Sequence, residues 1–136
     1  MVREIIKDPM LLNQPGIEAN EGDTEVIRDL IDTLKAHSEE CVGMAANMIG
    51  INKRIIAVSA GPFYFAMLNP KIVRQKGAYH AEESCLSLEG KRDCTRFKEI
   101  EVEYLDEKFR FQRRVYKDFI AEIIQHEIDH CNGIII

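Results

Sequence analysis

The stretch QHEIDH at residues 125–130 places the strictest condition on how this chain can fold. Residues four apart on a helix lie one above the other on the same face. His126 and His130 therefore aim at one point, and Glu127 stands beside the first of them. Two imidazoles and a carboxylate in this pattern suit a metal site that does hydrolysis: two ligands, and a base able to move a proton of a water acidified by the cation. Such a helix must be buried against another segment that completes the ligand shell. The bland alternative is a buried helix with incidental histidines and a surface glutamate.

The third ligand lies upstream or is Cys131. Six residues follow His130, and Ile136 stands where some metallopeptidases place a further histidine. Cys131 adjoins His130 but points about 100° away on a helix. The upstream candidates are His37, Cys41, His80, Cys85 and Cys94. Cys85 stands out because of its setting, EESCLSLEG, an extended segment that can lie across from a helix. Cys41 and Cys94 read as packing residues, and His80 as solvated or hydrogen-bonded near a turn.

The rest of the chain supplies a frame for such a helix. With 136 residues, 46% of them hydrophobic, the chain suits one domain, residues 1–136, with a real core, and is not disordered. The net charge of −5, with scattered Lys and Arg, excludes a nucleic-acid footprint. The start, MVREIIKDPM, has neither signal peptide nor membrane span, so a cytoplasmic location and no membrane partner are expected. Four cysteines in such a chain point to metal binding, catalysis or burial before disulfides.

The segment 13–23 is a polar loop, and a helix capped by Asp23 or Thr24 follows, with Val26, Ile27, Leu30, Ile31 and Leu34 at helical spacing. RIIAV (54–58) and FYFAML (63–68) read as strands, with a break at Asn69-Pro70. In 99–106, Ile100, Val102 and Tyr104 alternate with Glu101 and Glu103, which reads as a strand with one wet face. The pair Glu107-Lys108 then turns it into a hairpin with FRFQRRV. Residues 117–130 form a second helix, apolar at Ile120, Ile123, Ile124 and Ile128 and ended by Gly133. The expected fold class is α+β: mixed or antiparallel sheets packed around a central metal-binding helix, with one further N-terminal helix.

Three segments together resemble the peptide deformylase family. CVGMAANMIG (41–50), ESCLS (83–87) and QHEIDH (125–130) look like its three motifs, in the same order and spacing, and so do LNP at 68–70 and the run from Arg96 to Asp106. The resemblance implies removal of the formyl group from the formyl-methionine of nascent peptides. It implies one divalent metal ion, Fe²⁺ in the family, with Zn²⁺ or Ni²⁺ in purified samples, held by Cys85, His126 and His130. Spacing alone suggests zinc. The resemblance further makes Glu127 the general acid/base and gives the Leu86 N–H to the oxyanion. The peptide lies extended near Gly43, its methionine in a pocket that includes Ile123. Arg96 matches a position that lines the groove or serves the surface.

The departures matter as much. Cys41 replaces a glycine, Asn47 a proline, Met48 the glutamine that donates to the oxyanion, Ser84 a glycine and Cys131 a leucine. A thioether donates no hydrogen bond, so the expected enzyme is a slow one. The alternative is a catalytically weak, deformylase-like metal- and peptide-binding protein. A metallopeptidase cutting internal amides is disfavoured by the missing downstream ligand. A chain ending at Ile136 lacks the C-terminal helix with which longer members contact the ribosome, so that contact is not expected.

Overall fold

The computed structural model describes residues 1–134, and only the backbone at 88 and 89. The elements run α1 (Pro9–Leu12), α2 (Thr24–Ala36), β1 (Gly43–Ala45), β2 (Ile55–Ala60), β3 (Phe63–Cys85), β4 (Leu88–Leu105), β5 (Phe111–Lys117) and α3 (Asp118–Cys131), with 3₁₀ turns at Glu21–Asp23 and Ala46–Ile49. The strands form one antiparallel sheet in sequence order, β1-β2-β3-β4-β5. The α+β class holds, as one antiparallel sheet in place of several mixed ones.

Strand β2 explains how the two long helices are positioned. Side chains on a strand alternate between faces. Ala57 faces the cluster that contains Ile27, Leu30 and Leu34 of α2. Ile56 and Val58 face the cluster that contains Ile124 and Ile128 of α3. The run IIAV is buried throughout because a helix covers it on either side. A strand with two dry faces reads as a continuous apolar run, unlike the one-sided alternation of β4.

On β4 the reading of 99–106 applies directly. Ile100 and Val102 are at most 1% exposed and Tyr104 8%. Glu99, Glu101 and Glu103 on the opposite face pair with Lys76, Arg74 and Arg113 on the flanking strands. These glutamates are a solvated ladder.

Three local expectations are corrected or refined. Asn69-Pro70 does not end a strand: Asn69 takes φ 53°, the register shifts between Leu68 and Lys71, and β3 continues. The bulge absorbs the proline, which cannot donate to the ladder. The β4–β5 turn is wider than two residues, spanning 106–110, with Asp106 N–H bonded to Arg110 O at 3.0 Å. Asp23 does stand at the N-cap of α2 but makes no side-chain cap hydrogen bond there; its carboxylate instead joins Asn20 in a capping box on the preceding 3₁₀ turn.

Helix α3 ends as its sequence suggests. Gly133 has φ +75°, and a Cβ there would lie 2.9 Å from the Gln14 carbonyl carbon. Only glycine allows both the turn and that approach. Among the described residues no helix is long and apolar enough to cross a membrane.

Candidate active site

Helix α3 is buried at Gln125, His126, Glu127, Ile128 and His130. The rings of His126 and His130 stand with centroids 4.7 Å apart, as one turn of helix requires. Beside them opens a cavity of about 420 Å³, bordered by Gly43, Met48, Cys85, Leu86, Ile123, His126 and Glu127. Four segments thus meet: β1, the 3₁₀ turn after it, the end of β3 and α3. Every sequence-derived site residue except His130 and Arg96 lines this cavity, and His130 stands next to His126.

Strand β1 approaches α3 closely enough that a side chain at 43 would have to displace those of Ile123 and Glu127. A Cβ there would lie 2.7 Å from Ile123 Cγ2 and 2.9 Å from Glu127 Oε2. Glu127 is 4% exposed. Its Oε1 lies 3.5 Å from His130 Nδ1 and has no hydrogen-bond partner among the described residues. A buried carboxylate oxygen left in this state needs a partner from outside the chain, such as a water or substrate proton.

Arg96 is not in the groove. It is 4% exposed and sits behind the histidines. Its Nε and Nη2 donate to Glu83 at 2.8–3.1 Å, and its Nη1 to Asp129 at 2.7 Å. Glu83 in turn accepts from His126 Nδ1 at 2.7 Å. This chain of charges fixes the His126 ring and its tautomer, leaving Nε2 with the lone pair. Burial alone would raise the Glu83 pKa, but the hydrogen bonds from His126 and Arg96 outweigh it and hold the carboxyl well below its usual range. Burial likewise opposes charge on His126, and Glu83 and Glu127 reverse this and raise its pKa. The sequence named Arg96 but not this role; the paired Glu83 within ESCLS was the available signal.

The departures from the motif pattern are now placed. Asn47 turns its amide away from the cavity, donating to His130 O at 3.0 Å and Leu12 O at 3.3 Å. It therefore does not replace the missing glutamine amide. Met48 borders the cavity and is 1% exposed. Ser84 is not among the residues with positive φ, so no backbone strain attends it. Cys131 is a 2%-exposed core residue. Cys41 is more than packing, since it borders the cavity, and burial together with the charges of Glu127 and Glu40 pushes its thiol up to about 11. His80 is 71% exposed beside Asp93, and distant from this chemistry in role.

Among the described residues, no three His, Cys, Asp or Glu side chains stand together as a ready ligand shell. The donor chemistry nevertheless fits a divalent cation. A thiol and an imidazole with its outer nitrogen tied to a carboxylate share one cavity wall, the second imidazole lies against the first, and a buried, unsatisfied carboxylate oxygen adjoins them.

Known proteins resemble this chain in sequence and fold. The chain is 50% identical over all 136 residues to a peptide deformylase of Clostridium beijerinckii, covering 100% of both chains. It is 32% identical over 133 residues to that of Caldanaerobacter subterraneus, covering 96% of this chain and 82% of the other. The crystal structure of the Thermotoga maritima peptide deformylase superposes with a TM-score of 0.88 at 28% identity, covering 99% of this chain and 95% of that one. A class I type b peptide deformylase from Acinetobacter baumannii, solved with Met-Ala-Ser bound, gives a TM-score of 0.88 at 25% identity, covering 99% and 96%. The polypeptide deformylase family model matches residues 2–136, and with a half-identical relative over the full length the chain belongs to that family.

Proposed function

We propose that the protein is a metal-dependent amide hydrolase that removes the formyl group from formyl-methionyl peptides and releases formate. Residues 1–136 act as one catalytic domain, in the cytoplasm, on formylated nascent chains. The observation that carries this reading is the single cavity in which Glu127, with an unpartnered buried oxygen, meets Cys85, His126, Leu86 and Gly43. The Met-Ala-Ser peptide in the Acinetobacter baumannii relative supports a methionine-first peptide as the ligand.

Cys85, His126 and His130 would hold the divalent ion, Fe²⁺ by family, and when bound it supplies the Lewis acidity that makes a water nucleophilic at neutral pH. The remaining work belongs to side chains and backbone. Glu127 takes a proton from the water as its oxygen attacks the formyl carbon. The N–H of Leu86 donates to the oxygen that becomes negative. As the C–N bond breaks, Glu127 passes the proton to the departing nitrogen, leaving formate and a free methionyl amine. Glu83, held by Arg96, keeps the His126 ring in its orientation. Gly43 leaves room for the peptide backbone beside β1 and for Glu127 behind it. Ile123 provides an apolar wall for the methionine side chain.

Met48 supports a second, weaker reading. With no amide donor at 48 or 47, the oxyanion keeps one backbone N–H, and a protein that binds formylated peptides with little turnover has the same residues. The test is formate release from a formyl-Met peptide by iron-loaded protein under exclusion of oxygen. We expect release, lost in Glu127→Ala with metal content unchanged. Peptide binding without formate would favour the second reading, and neither binding nor release would end both.

A further inference from the structure

A helix ends in carbonyls that no residue further along the same helix can satisfy, and its last turn is the part that frays. In α3 that turn carries His130, the residue before the last. Its carbonyls are met from elsewhere in the chain. The Cys131 carbonyl accepts from the Gly16 N–H at 2.7 Å and from Arg54 Nη1 at 3.2 Å. The His130 carbonyl accepts from the Gly133 N–H at 3.0 Å and from Asn47 Nδ2, also at 3.0 Å. Gly133 belongs to the turn that ends the same helix. Asn47 ties the main chain of His130 to a different part of the fold.

That part is well anchored. Asn47 lies on the 3₁₀ turn Ala46–Ile49, which directly follows β1, the strand that borders the cavity at Gly43. The next carbonyl, that of Met48, accepts from the Ile6 N–H at 2.8 Å. The Asn47 side chain also donates to Leu12 O at 3.3 Å, at the end of α1. Asn47 is 7% exposed, and its Oδ1 has no partner among the described residues. Both carbonyls can only accept, so the amide nitrogen must face them, and these two bonds set its orientation.

We infer that Asn47 is a positioning residue for His130: its amide holds the last turn of α3 at a fixed distance from β1, and so sets where the second imidazole stands. The inference rests on the reading of Cys85, His126 and His130 as metal ligands. A metal–ligand bond tolerates only about 0.2 Å of error, so a last turn free to drift weakens the site. The coupling is reciprocal: an ion on His130 must strengthen the Asn47 bond by the same factor.

The test is a double-mutant cycle. Zn(II) is titrated against a zinc-sensitive dye into metal-free wild type, Cys85→Ser and His130→Ala, each with and without Asn47→Ala. Asn47→Ala should weaken zinc binding by about tenfold in wild type and in the Cys85→Ser background, but by less than about twofold in the His130→Ala background. A fold loosened in general would weaken all three alike, and that result would overturn the role of Asn47, as would unchanged affinity in Asn47→Ala. If His130→Ala alone binds zinc as wild type does, the three-ligand reading itself fails and the inference falls with it. Should the alanine variant not fold, the wild-type protein decides. Solvent exchange of the Asn47 side-chain amide, followed by NMR, should be about tenfold slower in the zinc-loaded than in the metal-free protein. Equal exchange in the two forms would overturn the inference.

Discussion

Met48 borders the cavity at the position where, on the proposed function, an amide would steady a developing negative charge. The loss of one such donor costs on the order of 10²–10³ in rate. The neighbouring Asn47 cannot make this good, because its amide is engaged with His130 O and Leu12 O. Met48→Gln should therefore raise formate release by up to about 10²–10³ with a smaller change in KM, since the donor acts mainly in the transition state. An unchanged kcat would mean that another group already holds the oxyanion. Gly43 is the second residue whose side chain, or lack of one, governs the site. In Gly43→Ala the new methyl would meet Ile123 Cγ2 at 2.7 Å and Glu127 Oε2 at 2.9 Å. We expect a loss of about 1–3 kcal/mol of stability from overpacking. We also expect a fall in kcat from displacement of Glu127, read by urea unfolding and steady-state kinetics. Full activity in this variant would show that β1 can retreat without moving the base.

At the scale of the element, the β4–β5 turn depends on one carboxylate. Asp106 Oδ1 accepts from the N–H groups of Lys108 and Arg110 at 2.9 and 3.0 Å, and Oδ2 from the Arg110 and Gln112 side chains, each at 3.1 Å. The backbone N–H of Arg110 is the largest cause that lowers its pKa, against a smaller opposing effect of desolvation. A depressed pKa stabilises the turn above the ordinary value of 3.8, and that support is lost as pH falls through the folded-state value. Amide exchange at Lys108 and Arg110 should accelerate in that acid range in wild type, and should already be fast at neutral pH in Asp106→Ala. Equal protection in the two proteins would remove Asp106 from the account. The same turn shows where the sequence was readable and where it was not. The alternation of Ile100, Val102 and Tyr104 announces a half-wet strand because one face meets α3 and the other meets solvent. The span 71–98 carried no such signal. There β3 and β4 form a long hairpin whose residues 73–80 are largely exposed, so no buried face imposes a period. Asn69-Pro70 looked like a stop because a bulge and a chain break share the same residues. The helix QHEIDH was readable because the four-residue spacing of its histidines and its helical period coincide. The Arg96 clamp was not, because its partners are 13 and 33 residues away and meet only through the fold.

That clamp operates at the scale of the whole molecule. Arg96 on β4 bonds Glu83 on β3 and Asp129 on α3, and Glu83 bonds His126, so one guanidinium joins the long hairpin to the helix that carries the site. The Arg96 and Glu83 side chains are 5% and 7% exposed, and Asp129 is 24% exposed. Removing a buried charge costs more than the pair contributed, because the partner is left desolvated and uncompensated. Arg96→Met should therefore cost about 3–5 kcal/mol in metal-free protein, measured by urea unfolding. Arg96→Met combined with Glu83→Gln and Asp129→Asn removes the charges together, and the triple variant should be more stable than the single one. The two variants should also part company in function. Glu83→Gln loosens the carboxylate hold on His126, so the triple variant should regain stability while its zinc affinity stays about 10- to 100-fold below wild type. Stability and ligand orientation would then be separable properties of one network. Losses that simply add across the three positions would mean that the charges act independently and that the hairpin is held to α3 by packing alone.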